Sequence, residues 1–100
     1  MANTVFEMQD DTLIAKPVGE LDTETSPAFE EELLKKMAGV KHIVIDLEQV
    51  DYVSSAGLRV FLVAQQRVQK EDADLKLIHV NGNIMEVLEI VGFLDVVTVE

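Results

Sequence analysis

A single α/β domain with a small mixed sheet is the fold class that three features of this 100-residue chain predict. Short β-branched runs alternate with helical patterns, giving three strand–helix crossovers in the order β-β-α-β-α-β-α-β. The first two runs, Thr4–Met8 and Thr12–Val18, are separated only by Gln9-Asp10-Asp11, which predicts an N-terminal antiparallel hairpin. Ile43 to Leu47 is an apolar run broken only by Asp46, the pattern of a central strand covered on both faces. The length suits one domain over residues 1–100, and an apolar content of 48% supplies a core.

Pro17 cannot donate to a ladder and predicts a strand end or edge. Gly19 to Thr25 is a polar connection. Ser26-Pro27 then predicts a helix start, with Ser26 as cap and Pro27 at the first helical position. Phe29, Leu33 and Met37 form that helix's apolar stripe, Glu30, Glu31 and Glu32 suit its first turns, and Gly39 ends it. A second helix runs from about Ser55 to Lys70. Gly57, Val60, Phe61, Ala64 and Val68 share its core face, Arg59, Gln66 and Lys70 lie opposite, and Leu58 and Leu62 fall on a flank. Glu71 to Asp74 is an exit loop. Leu75–Val80 is a strand, Asn81-Gly82-Asn83 caps a helix over Ile84–Val91, and Gly92 fits the left-handed position after it, with Phe93 folding back on Leu88. Val96–Val99 is the last strand.

Eight basic and nineteen acidic residues give a net charge of −11. That balance disfavours nucleic acid and anionic membrane surfaces as partners, since both require a basic face. A basic protein partner is compatible, and the same charge keeps a small domain soluble. The chain has no cysteine, hence no disulfide, thiolate nucleophile or cysteine metal site. Met1 to Glu7 lacks the basic and apolar regions of a secretion signal, and no apolar run is long enough for membrane insertion, so a cytoplasmic protein is expected.

Catalytic constellations are missing. His42 and His79 stand far apart in sequence with no metal-ligand spacing, and read as edge or surface histidines. Asp46, Glu48 and Asp51 flank a turn, where acids form turns or carry solvated charge. No phosphate-binding glycine loop and no nucleophile elbow occurs. No catalytic residue, metal or cofactor is therefore expected.

The serine pair Ser54-Ser55 is the informative feature. It stands between a strand and a helix, where unpaired N–H groups hold a phosphate readily. Ser54 suits the helix cap, contributing about 1 kcal/mol. That leaves Ser55 at the first helical position with a free hydroxyl. From the residues alone the pair is either a cap with a spare serine or a phosphorylation site. Gly57 costs roughly 1 kcal/mol relative to alanine in a helix. It is explained either by close packing on the sheet or by the approach of a partner.

Three stretches resemble the STAS domain, the module shared by anti-sigma factor antagonists and the cytoplasmic tails of sulphate transporters. Gly19-Glu20-Leu21-Asp22 is similar to the family's loop after the second strand. Val44-Ile45-Asp46-Leu47, with Val50-Asp51-Tyr52-Val53-Ser54-Ser55-Ala56-Gly57-Leu58, is similar to its central strand and signature. Val91-Gly92-Phe93-Leu94-Asp95 is similar to its last helix end. Their spacing fits too, so the resemblance covers essentially the whole chain.

The resemblance implies a non-enzymatic partner switch. The unphosphorylated antagonist binds an anti-sigma factor with serine-kinase activity and frees the sigma factor. Phosphorylation of the signature serine, which falls on Ser55, breaks the complex, and a serine phosphatase resets it. Ser54 stands where the family often has Asp. It caps equally well and is a second serine open to phosphorylation. Arg59 stands where a small residue is common and alters partner choice. The expected partner surface comprises Asp22, Thr23 and Thr25 of the loop, the helix start Ser54, Ser55, Ala56 and Gly57, and the flank Leu58, Arg59 and Leu62. The alternative is a non-switching STAS scaffold subunit of a lipid-transport or other complex. A neighbouring kinase or phosphatase gene favours the switch; a transporter ATPase gene favours the scaffold.

Overall fold

Side chains alternate in burial along the strands, and that alternation sets the architecture. In the computed structural model, which describes residues 3–100, the elements are β1 (Asn3–Gln9), β2 (Thr12–Leu21), α1 (Ser26–Met37), β3 (His42–Asp46), β4 (Val50–Val53), α2 (Ser55–Lys70), β5 (Asp74–Ile78), α3 (Gly82–Ile90) and β6 (Thr98–Val99). A 3₁₀ turn covers Phe93–Asp95. The sheet order is β1-β2-β3-β5-β6, with β4 paired to β2. β1 and β2 are antiparallel and the other pairings are parallel. The mixed sheet with its N-terminal hairpin is thus the one the sequence predicts.

The parallel crossovers from β2 to β3, from β3 to β5 and from β5 to β6 all step the same way across the sheet. Right-handed connections therefore place all three helices on one face. On that face Leu13, Ala15, Ile43, Ile45, Leu75 and Leu77 pack with Phe29, Leu33, Phe61, Ala64, Val68 and Leu88. On the other face, Ile14, Val44 and Lys76 stand in one register row and are half-exposed. Ion pairs Lys16–Glu7 (2.9 Å) and Lys76–Glu100 (3.2 Å) also lie there. The expectation that Ile43–Leu47 is covered on both faces is corrected: a single helix layer leaves Val44 partly in solvent.

Three further expectations are revised. Pro17 is neither at an end nor at an edge. It sits inside β2, opposite Thr4 of β1, and on the other edge falls in the gap between the residues that pair with β3 (Thr12–Ala15) and those that pair with β4 (Gly19–Leu21), where a missing N–H is tolerated. The supposed loop after Val18 begins as strand, because β2 runs on to Leu21. Ser26 is not the cap of α1. Thr25 takes the flanking position without a side-chain cap bond. Ser26 lies inside the helix, its buried hydroxyl unpartnered among the described residues. The three glutamates consequently fall beyond the first turn.

α2 spans the predicted residues and buries the predicted face. β5 stops at Ile78, since His79 adopts a left-handed backbone with φ 56°. Asn81 caps α3 by accepting from the Ile84 N–H at 2.9 Å, and Gly92 takes the predicted left-handed conformation at φ 77°. The 3₁₀ turn then shortens the last strand to two residues. Among the described residues no helix is long and apolar enough to cross a membrane.

Candidate functional site

The pairing of Leu21 with Val53 builds the site. β2 and β4 run parallel and end side by side, so the next residues, Asp22 and Ser54, leave the sheet together. Loops outside the carboxyl ends of parallel strands are where open α/β sheets hold ligands. The Leu21 carbonyl accepts both the Ser54 N–H at 2.8 Å and the Ser54 hydroxyl at 3.2 Å. The same hydroxyl accepts from the Ala56 N–H at 3.2 Å. Ser54 is therefore both helix cap and latch to the neighbouring strand.

Ser55 follows at the first helical position. It is exposed, and its hydroxyl has no hydrogen-bond partner among the described residues. The first intrahelical bond runs from the Leu58 N–H to the Ser54 carbonyl at 3.0 Å. The N–H groups of Ser55 and Gly57 find no acceptor in the described chain, which leaves positive helix-dipole charge beside the Ser55 hydroxyl.

The loop beside it is rigidly built. Asp22 Oδ1 accepts from the N–H groups of Glu24 (2.9 Å) and Thr25 (3.0 Å). The Thr25 bond, more than any other, holds the Asp22 carboxyl below its ordinary range. The Thr25 hydroxyl donates to the Glu20 carbonyl at 2.7 Å and accepts from the Asp22 N–H at 3.0 Å. Thr25 is buried. Expected as a partner contact, Thr25 instead shapes the loop, while Thr23 and Glu24 are the exposed residues.

Gly57 is also buried, tight against Leu21 and Val53. Of its two readings the structure selects sheet packing, so the expected partner contact at Gly57 is corrected as well. Ala56 is half-buried and Arg59 exposed. With Ser26, Pro27, Glu30 and Val60 they line a shallow groove between α1 and α2. Arg59 forms no ion pair among the described residues. Leu58 is half-buried and packs on the core edge, and Leu62 is half-buried one turn further along the same flank.

A second polar cluster escaped the sequence reading. Asp46, Glu48 and His79 bring their ligand-type atoms within 4.8 Å of one another. Asp46 Oδ1 accepts from the Glu48 N–H at 3.0 Å and from His79 Nδ1 at 2.8 Å. Burial pushes the Asp46 carboxyl up, but these bonds outweigh it and hold it below the ordinary range. The Asp46 hydrogen bond and charge raise His79. The cluster ties the turn after β3 to the end of β5. Asp46 does form the predicted turn; the histidine is brought to it by the sheet, across thirty-three residues of sequence.

Comparison with known proteins places these features in context. The profile described as STAS domain matches residues 3–100. BtrV, a candidate anti-sigma factor antagonist of Bordetella bronchiseptica, is 35% identical over 88 residues, covering 87% of this chain and 76% of BtrV. The anti-sigma-B factor antagonist of Staphylococcus aureus is 34% identical over 92 residues, covering 91% of this chain and 85% of that protein. The fold superposes on a candidate anti-sigma factor antagonist from Thermotoga maritima with a TM-score of 0.91 at 20% identity, covering 96% of this chain and 84% of that one. It also superposes on phosphorylated SpoIIAA, a Bacillus cell fate determinant, with a TM-score of 0.77 at 16% identity, covering 98% and 91%.

Proposed function

Because the chain belongs to the STAS domain family, we propose that it is an anti-sigma factor antagonist whose binding is switched by phosphorylation of Ser55. The names of its relatives in Bordetella and Staphylococcus support the antagonist class. One observation carries the switch: Ser54 is committed to capping and latching, while Ser55, one residue on, is exposed with a free hydroxyl. The protein acts by binding and supplies no catalytic group. The anti-sigma factor is both its partner and its kinase, and a serine phosphatase restores the binding form.

A phosphate on Ser55 adds nearly two negative charges at the helix start. The unpaired N–H groups of Ser55 and Gly57 accommodate it, so the fold need not change. The interface changes instead, since a desolvated contact receives a bulky charge. Such placement costs several kcal/mol, and each ~1.4 kcal/mol is a factor of about ten in affinity. Asp22, Thr23, Ser54, Ala56, Leu58, Arg59 and Leu62 surround Ser55 in the proposed contact. Incubation with ATP and the anti-sigma factor kinases encoded in the same genome, followed by mass spectrometry, tests the assignment. A single phosphate on Ser55 is expected. Phosphate on Ser54 with Ser55 untouched would reverse their roles.

A further inference from the structure

Large apolar side chains are left in solvent mainly at one place. Among the described residues, five of the eight exposed large hydrophobic ones lie between positions 87 and 96: Val87, Ile90, Val91, Leu94 and Val96. Ile90 is 76% exposed and Val91 52%. Val87 and Ile90 of α3 and Val91, its C-cap, follow i, i+3, i+4 spacing and so share one stripe, which borders the face that buries Ile84 and Leu88. Leu94, in the 3₁₀ turn, and Val96, just after it, are exposed as well. A patch of this kind on a small domain marks an interaction surface.

The charges around the patch identify what covers it. Glu86, Glu89 and Asp95 are exposed and form no ion pair among the described residues. No lysine, arginine or histidine occurs from Val80 to Glu100. A two-fold contact between copies would set these acids against each other, in a chain already at −11. The complementary surface is an apolar groove rimmed by lysine or arginine on a different protein.

The surface around Ser55 also needs enlargement. A stable interface takes about 800 Å² per partner, roughly 20–30 residues a side. Of the ten contacts expected there from sequence, Thr25 and Gly57 are buried, leaving eight. α3 starts beside the strand that leads to that surface. The amide of Asn81, its cap, donates to the Val50 carbonyl at 3.3 Å, on the strand that leads into Ser54.

We propose that the outer face of α3 is a second contact surface for the same anti-sigma factor, taking an apolar groove edged with basic residues. The proposal rests on the antagonist reading above. Its test is calorimetric titration of the full chain with the purified anti-sigma factor that phosphorylates it, without ATP. Ile90→Ser and Glu89→Lys should each bind at least about tenfold more weakly than the unmutated chain, the scale of one interface hot spot, with unchanged melting temperature. Glu89→Lys should also reduce the salt dependence of binding. If both variants bind as the unmutated chain does while Ser55→Asp loses binding, the α3 surface is wrong and the antagonist reading stands. If the unmutated chain binds no anti-sigma factor from its genome, both fall. A dimer in sedimentation that Ile90→Ser dissociates would give the face to a second copy and overturn the proposal.

Discussion

Gly57 lies so close to Leu21 that a Cβ built on it would sit 2.9 Å from both the Leu21 Cβ and the Leu21 carbonyl oxygen, and 2.8 Å from Val53 Cγ1. Two of these neighbours belong to the strand whose carbonyl latches Ser54. Helix propensity alone would make Gly57→Ala stabilising by about 1 kcal/mol. Overpacking opposes it, and forcing backbone and Cβ atoms apart costs typically ~1–3 kcal/mol. Gly57→Ala is expected to lower the melting temperature and, by tilting the start of α2, to weaken partner binding. A variant more stable than the parent would show that the close approach is easily relieved.

Ser54 caps α2 and bridges to Leu21, so Ser54→Ala removes both bonds. Denaturant titration should show a loss of about 0.5–2 kcal/mol. Ser54→Asp should restore most of the helix cap, since Asp is an equally good N-cap, though it cannot donate to the Leu21 carbonyl. Equal stability of Ser54→Ala and the parent would remove the structural role assigned to Ser54.

The Asp46–His79 pair gives a defined pH dependence. His79 is raised in the folded protein, so its contribution is complete below the unfolded value of about 6.5 and is lost as pH rises through the folded value. Asp46 is depressed, so its contribution is present above the ordinary carboxylate range and lost as pH falls through its folded value. The pair is therefore most effective between those limits, in mildly acidic solution. Urea midpoints should show a component that declines as pH rises above about 6.5. His79→Asn, which tolerates the left-handed backbone, should abolish that component. An identical pH profile in the variant would contradict the assignment.

Leu62 is half-buried on the α2 flank, one turn beyond Leu58. Leu62→Lys should leave the melting temperature within a few degrees, because substitutions outside the core usually cost little, and should weaken partner binding. Unfolding of the variant would make Leu62 part of the core.

Legibility from sequence followed the range of the interactions involved. α2 was readable because its face, its cap and its basic last turn are all local. So were the β1–β2 hairpin and the left-handed Gly92. β4 was not, since Val50-Asp51-Tyr52-Val53 is only four residues long and becomes a strand by pairing with Gly19–Leu21, itself read as loop. The two omissions are one event, a parallel pairing between distant segments. Ser26-Pro27 has the local form of a capped helix start, but the Thr25 hydroxyl is spent on Glu20 and Asp22 and the cap position shifts by one residue. The capping of α2 by Ser54 was legible because capping is decided within three residues. The burial of Thr25 and Gly57 was not, because the sheet decides it.

The central claim is that the charge at Ser55 controls binding while the fold stays intact. Affinity of the purified anti-sigma factor for the parent chain, Ser55→Ala and Ser55→Asp, measured side by side, tests it most directly. Ser55→Ala, which loses only a free hydroxyl, should bind like the parent. Ser55→Asp should fold normally and bind at least about tenfold more weakly, a difference of ~1.4 kcal/mol. Equal affinity of all three proteins, with no phosphate transferred to Ser55, would contradict the switch and leave a constitutive scaffold in its place.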